Sequence, residues 1–362
     1  MIETLDPNRI AALKRAYTTR RVPAEAIVGL EPAGVPTSGD LVLARVDSIG
    51  QHTRLESPGG RRQHLFPGDE ILVCYANRYA PAQFEAMVPA GIGPCDLVAG
   101  GGVASQALCR HDKLRPPTQI EVLGFVTGPD RRPVNLASHR IPPTEPASRR
   151  PPTIIVAGTS MDSGKTTTAA GIIRGLIAQG HRVGAIKSTG TGAGGDRWRM
   201  VDSGASTFLD FIDVGMASTY LMDDERILEG FVTLNATVAA HGVEVTVVEI
   251  ADGLHHDETR NLLSSEQVRS HCDGVVFAAS DAAGAVQGVE ELRAMDLPVL
   301  AVSGLLTASP LATREARCAL DVPVLGLAEL WAADHQLVSL GEPGVDAREL
   351  SGSAPFMVGS AP

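Results

Sequence analysis

The chain has 362 residues, 44% of them hydrophobic and 20% charged, with a formal net charge of -11 at pH 7. That length accommodates two domains with a sizeable core, and the acidic balance argues against a general nucleic-acid binder, because a phosphate backbone would be repelled. No apolar run reaches the roughly 18–20 residues of a membrane span, and the N-terminus, with Glu3 and Asp6, lacks a hydrophobic signal core. The expectation is a cytoplasmic protein with neither membrane nor nucleic-acid partners. Five scattered cysteines (Cys74, Cys95, Cys109, Cys272, Cys318) form no C-x-x-C pair and read as buried or incidental thiols.

In chain order, residues 7–20 carry Ile10, Leu13 and Tyr17 at helical spacing, which predicts a short helix. A Pro/Gly-rich connector follows (Pro32, Gly34, Pro36, Gly39), and the helix with the start of that connector makes a first unit, 1–35. From Asp40 the texture becomes short strands, at 41–46, 70–75 and 119–127. Ser57-Pro58-Gly59-Gly60 reads as a hairpin-type connection between the first two, and Gly128-Pro129-Asp130 closes the third. Residues 36–140 therefore predict a small β-barrel or sandwich. Within it Gly100-Gly101-Gly102 reads as a flexible turn, with close approach to a ligand or a neighbouring backbone as the alternative; His52, His64 and His111 read as exposed loop histidines. Residues 141–152, with Pro142, Pro143, Pro146, Pro151 and Pro152, predict an extended linker.

Beyond the linker, residues 153–340 alternate. Strands are predicted at 153–157, 182–186, 243–250, 274–279, 299–302 and 322–325, and helices at 165–179, 201–212, 223–241, 262–271, 286–295 and 313–320. Near-continuous apolar strands between helices define an α/β unit, a parallel sheet covered on both faces. Residues 341–362, rich in Gly, Ser and Pro, read as a mobile tail.

The chemistry concentrates in the first turn of that unit. Gly158-Thr159-Ser160-Met161-Asp162-Ser163-Gly164-Lys165-Thr166-Thr167 follows an apolar strand and opens a helix, the context of a phosphate-binding loop. Gly164 lets backbone N–H groups turn inward, the helix dipole points at the same spot, Lys165 adds a full charge and Thr166 offers a hydroxyl to Mg²⁺. Thr159 stands where the usual pattern has its first glycine, and Gly158 comes one residue earlier.

Ligands of open parallel sheets bind at the carboxyl ends of the strands. After the second strand comes Lys187-Ser188-Thr189-Gly190-Thr191-Gly192, then Asp196 and Asp202. Lys187 is placed to neutralise a phosphate or carboxylate, and Asp202 either serves the site or caps a helix that it opens. After the third strand, Glu249 is the expected holder of Mg²⁺ or its water, since an unpaired buried carboxylate is costly. Asp252, His255 and His256 follow, the histidines able to touch substrate or to face solvent.

These signatures resemble, in the same order, those of the dethiobiotin synthetase family, within a wider group that includes cobyrinate amidases and MinD-like ATPases. The loop is matched at Gly158, Thr159, Asp162, Gly164, Lys165 and Thr166, the second signature by 187–192 and the third by 249–253, so that the likeness spans about 153–325. It implies ATP bound by the loop residues, Ser163 and Thr167 included, with Mg²⁺ among Thr166, Asp162, Asp202 and Glu249. It also implies catalytic roles for Lys165, Lys187 and Thr191, with Lys187 and Thr191 facing a small-molecule acceptor that Asp252 and His255 help to line. The implied reaction is phosphoryl transfer to a carboxylate, carbamate or hydroxyl in a ligase or kinase, carried out by a homodimer.

Met161, Ile250 and Asp252 depart from the family's residues, which implies a different acceptor, and the β-rich domain is foreign to that family. Two other readings stand beside the enzyme: a switch-type NTPase or metallochaperone, and a nucleotide-binding regulatory module whose β domain senses a ligand. The switch reading predicts an Asn-Lys-x-Asp motif or an early loop lysine, and Ser160 occupies that lysine's position.

Overall fold

The computed structural model describes residues 2–144, 150–332 and 337. The 341–362 segment, the centre of the 141–152 linker and most of 333–340 lie outside the described residues.

The C-terminal lobe is a six-stranded, all-parallel sheet. Its order is Thr207–Asp210, Val183–Lys187, Val245–Glu249, Thr153–Gly158, Gly274–Ala278, Val299–Ser303. Alternation along the strands divides the core between two faces. Ile155, Ala157, Ile186 and Val248 pack on one side with Phe231 and Leu234. Ile154, Val156, Val183 and Val247 pack on the other with Ile172, Ile173 and Leu176 of the helix Lys165–Ala178. Both faces are dry, as runs of Val and Ile without polar alternation require.

The edge of this sheet departs from the expectation. The predicted 201–212 helix is instead the end of the helix Gly194–Asp202 followed by the strand Thr207–Asp210. Gly204, in left-handed backbone at φ 108°, stops the helix. The 322–325 segment contributes only a single bridge, Val302 to Val324, and the 262–271 helix is two helices divided at Ser265, whose hydroxyl caps the second.

The N-terminal lobe is a β structure whose pairings close on themselves. Leu41–Ser48, Glu70–Tyr75, Val103–Arg110, Pro94–Ala99 and Thr118–Thr127 form a five-stranded ring. The Ser57–Gly60 turn does make a hairpin, but it joins Arg54–Glu56 to Arg62–His64. A second hairpin, Arg78–Tyr79 with Phe84–Met87, turns at Pro81, where Gln83 N–H donates to the Ala80 carbonyl at 2.7 Å. Proline at the second position of such a turn presets its φ.

The first 35 residues are woven into both lobes. Glu3–Thr4 and Gly29–Glu31 extend the β sheet. The predicted 7–20 helix is only Pro7–Ala12; Leu13 is extended and ends it. Tyr17, in a 3-10 turn, crosses to the α/β lobe and is buried in its core. Its hydroxyl donates to Asp210 Oδ2 at 2.9 Å, and Arg20 bridges Asp210 and Asp213 at 2.6 and 2.7 Å. The Ile10, Leu13 and Tyr17 spacing thus serves two lobes rather than one helix face.

Candidate nucleotide and acceptor site

The parallel register sets the site. Lys187 is paired with Glu249, which is in turn beside Val156, two residues before the loop begins at Gly158. A buried cation and a buried carboxylate therefore leave the sheet side by side, at its carboxyl edge, next to the phosphate loop. In the loop Asp162 at φ 64° and Gly164 at φ 97° hold left-handed backbone, and a Cβ on Gly158 would stand 2.4 Å from Ser163 Oγ. The turn is wound too tightly for larger residues there. Thr159 Oγ1 and Ser163 Oγ are buried in it with no hydrogen-bond partner.

Lys165 opens the helix, is buried, and donates to the Ser160 carbonyl at 2.7 Å. Burial pulls its ammonium below the usual lysine value, against the pull of Glu249 and Asp252. Burial also opposes the charge on Lys187, but Asp196 and Glu249 outweigh it and hold that ammonium above the usual value. Lys187 Nζ is ion-paired with Asp196 and lies 3.7 Å from Glu249 Oε1. Glu249 and Asp252 are both pushed up by burial, and nearby Lys187 and Lys165 oppose the shift.

Thr166 Oγ1 lies 3.0 Å from Glu249 Oε1 and 3.3 Å from Asp196 Oδ1. A hydroxyl and two carboxylates converge there, and Glu249 Oε2 is buried without a partner. All the donors are oxygen, which suits a hard divalent cation. Among the described residues no group of three or more His, Cys, Asp or Glu is assembled around one point. Mg²⁺ characteristically takes one or two carboxylates and completes its shell with phosphate and water, so this set fits Mg²⁺.

A cavity of about 470 Å³ lies over these groups. Met161, Asp162, Lys165, Thr166 and Thr167 form its floor; Lys187, Thr191, Asp196, Glu249 and Asp252 form one side. The β lobe closes it with Arg78, Tyr79 and Gln83 from the Pro81 hairpin. Two of the expected residues are not brought in. Asp202 is the exposed last residue of its helix, and Asp196 in the first turn takes the place expected of it. His255 has a side chain 75% exposed and sits beside Glu291 at 3.5 Å; His256 is the one turned inward, packed on Tyr79 with ring centroids 4.4 Å apart and the rings tilted by 47°.

Sequence reasoning also missed the β-lobe residues. His52 is no exposed loop histidine: its Nε2 lies 2.8 Å from the Val98 carbonyl, and burial with the neighbouring Arg78 pushes its pKa down to about 4. The triple glycine is a close backbone approach. Gly101 packs on Gly192 of the α/β lobe, and the Gly194 N–H donates to Glu56 Oε2 at 2.6 Å.

The C-terminal lobe is an α/β fold, a parallel sheet covered by helices on both faces, with a phosphate-loop-type turn between the strand Thr153–Gly158 and the helix Lys165–Ala178. No family model and no curated protein matches the chain. Among solved structures it is similar to the signal recognition particle 54 kDa protein of Aeropyrum pernix K1 in complex with GDP, at 22% identity and TM-score 0.31 over 45% of this chain and 37% of that one. It is also similar to the signal recognition particle receptor FtsY of Elizabethkingia anophelis in complex with GDP (18% identity, TM-score 0.32, 45% of this chain and 52% of that one). A nucleotide-binding protein from Archaeoglobus fulgidus in complex with ADP gives 13% identity and TM-score 0.36, over 49% and 84% of the two chains. The chain thus spans only about a third to a half of the two signal recognition proteins. Among the described residues no helix is long and apolar enough to cross a membrane.

Proposed function

We propose that the chain is an ATP- and Mg²⁺-dependent enzyme that transfers a phosphoryl group to a small carboxylate, carbamate or hydroxyl acceptor, in the manner of the dethiobiotin synthetase-like enzymes that its motifs resemble. One observation carries this reading. Lys187 is a buried lysine that Asp196 and Glu249 keep charged, and it shares a roofed cavity with Lys165 and Thr166.

Bound nucleotide would supply the phosphoryl group, and the loop N–H groups with Lys165 would hold its phosphates. Thr166, Asp196 and Glu249 would hold Mg²⁺. Lys187 presents positive charge beside the loop, across Asp196 and Glu249 from Thr166, where an incoming acceptor oxygen would meet the transferred group. A fixed ammonium there stabilises charge that grows in the transition state, at no cost in reorganisation. Thr191, on the same wall, would offer a hydroxyl to the acceptor, and Arg78, Tyr79 and Gln83 of the Pro81 hairpin line the facing side.

Lys187→Ala tests this: product formation from ATP should fall about 10²–10³-fold with nucleotide affinity nearly unchanged. Turnover that survives the substitution would sink the assignment.

A second reading, the switch-type NTPase, draws on the contact of 192–194 with the β lobe. That segment follows the Lys187 strand directly, so a change at the phosphate loop has a short path to Gly101 and Glu56. It predicts slow hydrolysis that a partner protein stimulates, with the nucleoside diphosphate and free phosphate as the sole products.

A further inference from the structure

Arg78 is 5% exposed, and no acidic side chain of the described residues lies within ion-pair distance of it. Its Nη2 donates to the Gln83 side-chain carbonyl at 2.7 Å, and its Nε is buried with no partner. Its Nη1 is 3.5 Å from His52 Nε2. That nitrogen already faces the Val98 carbonyl at 2.8 Å, and a carbonyl only accepts, so Nε2 carries the proton and has no lone pair for arginine. Burial pulls Arg78 down to about 10, with Asp252 acting only through its field, so the guanidinium is charged at neutral pH. A buried cation held by one neutral amide and, at 6.0 Å, the face of the Phe84 ring is costly to keep.

The position explains the cost. Arg78 and Gln83 line the cavity over the phosphate loop and also an adjoining one of about 580 Å³, into which Arg54 and Arg62 project. Thr191 and Asp162 are shared walls as well. An acceptor spanning the two spaces would place one end at Lys187 and Thr191 and the other at the arginine fork.

We propose that Arg78 is the acceptor-recognition residue, binding an oxyanion (a carboxylate or a phosphate monoester) on a small anionic substrate. The proposal rests on the acceptor reading above for its place in the reaction. The Nη1 and Nη2 end of the guanidinium offers N–H groups to the oxygens of one anion, and Gln83 on Nη2 fixes its plane. The β lobe is then the specificity lobe of the enzyme, and its hairpin the part that reads the substrate.

The full chain with excess ADP and Mg²⁺, so that the loop is filled, is titrated with succinate, glutamate, citrate and glycerol 3-phosphate, followed by thermal midpoint and calorimetry. Neutral succinamide is the control. At least one anion should raise the midpoint while succinamide does not; the carboxylates and the phosphate ester identify which oxyanion is read. Arg78→Met should weaken that anion about 10- to 100-fold and leave ADP affinity unchanged. Arg78→Lys should fall between. If Arg78→Met does not fold, Arg78→Lys decides, because loss of the fork must weaken the anion. An unresponsive native chain, or variants that respond as the native chain does, would overturn the proposal. Failure of the nucleotide reading would show separately, as absence of ADP binding with the anion response intact.

Discussion

Gly101 of the β lobe lies so close to Gly192 of the α/β lobe that a Cβ on Gly101 would stand 2.1 Å from the Gly192 carbonyl oxygen. On the other side, a Cβ on Gly192 would meet Thr18 Cγ2 at 2.6 Å. Two backbones thus touch where the wall of the cavity over the phosphate loop is made. Gly101→Ala should force that seam apart, at a cost of about 1–3 kcal/mol in denaturant unfolding. Turnover should fall further than stability alone explains, with nucleotide affinity kept, because Thr191 and Ala193 move with Gly192.

The seam has a second anchor in the ion network of Arg20 with Asp210 and Asp213. These side chains are only 3–7% exposed, so water screens them little. Arg20→Met leaves two buried carboxylates facing each other, at a cost of about 3–5 kcal/mol. Asp213 is already pushed up by burial and by Asp210, against the pull of Arg20. A carboxyl raised in the folded state loses stability as pH climbs past its ordinary value, so the deficit of Arg20→Met should shrink on acidification. Urea unfolding of both proteins at pH 5 and pH 8 measures it; a deficit equal at both would show that the carboxylates are not its source.

Much of this was legible in the sequence wherever one element decides its own structure. Ile154–Ala157 with Gly164, Lys165 and Thr166 specify strand, turn and helix locally, and the apolar runs at 245–249 and 274–278 are too dry for anything but a central strand. The edge strand Thr207–Asp210 was not legible, because it pairs on one side only and carries no long apolar run. The choice between Asp196 and Asp202 depends on where the helix begins, and Gly194-Gly195 is a weak start signal. Arg78, Gln83, Tyr17 and Arg20 act on residues more than a hundred positions away or from a neighbouring lobe, and spacing carries no trace of that.

Asp196 and Asp202 therefore make a sharp pair. Asp196→Asn weakens the hold on Lys187 and removes one candidate Mg²⁺ oxygen, so turnover should fall about 10²-fold and the Mg²⁺ requirement should rise. Asp202→Asn, at an exposed helix end, should change neither. Steady-state rates against Mg²⁺ concentration for both variants provide the check; equal effects would reinstate Asp202.

His256 closes the hairpin over the cavity. Asp252, Asp257 and Glu258 face it with the rings of Tyr79 and Tyr220; burial opposes its charge, but Glu258 at 2.7 Å and Asp252 raise its pKa. A histidine raised in the folded state stabilises fully below its ordinary value near 6.5, and that contribution is lost as pH rises through the raised value. Thermal midpoints of the native chain should therefore decline over that window, and His256→Gln should flatten the decline. An unchanged slope in the variant would place the pH dependence elsewhere.

Glu249 shows the cost the site imposes on the fold. Burial raises its carboxyl despite Lys187 and Lys165, so ionisation above its ordinary value near 4.5 works against folding. Glu249→Gln keeps the shape and an acceptor for the Thr166 hydroxyl while removing the charge. With Lys187 still paired to Asp196, the ligand-free protein should melt no lower than the native chain at pH 7 and show a flatter pH profile. The same substitution should abolish the Mg²⁺ dependence of nucleotide affinity, measured by titrating nucleotide with and without the metal. A variant that unfolds at neutral pH would instead make the carboxylate a structural partner of Lys187. Full Mg²⁺ dependence in a stable variant would move the cation to Asp196 and Asp162.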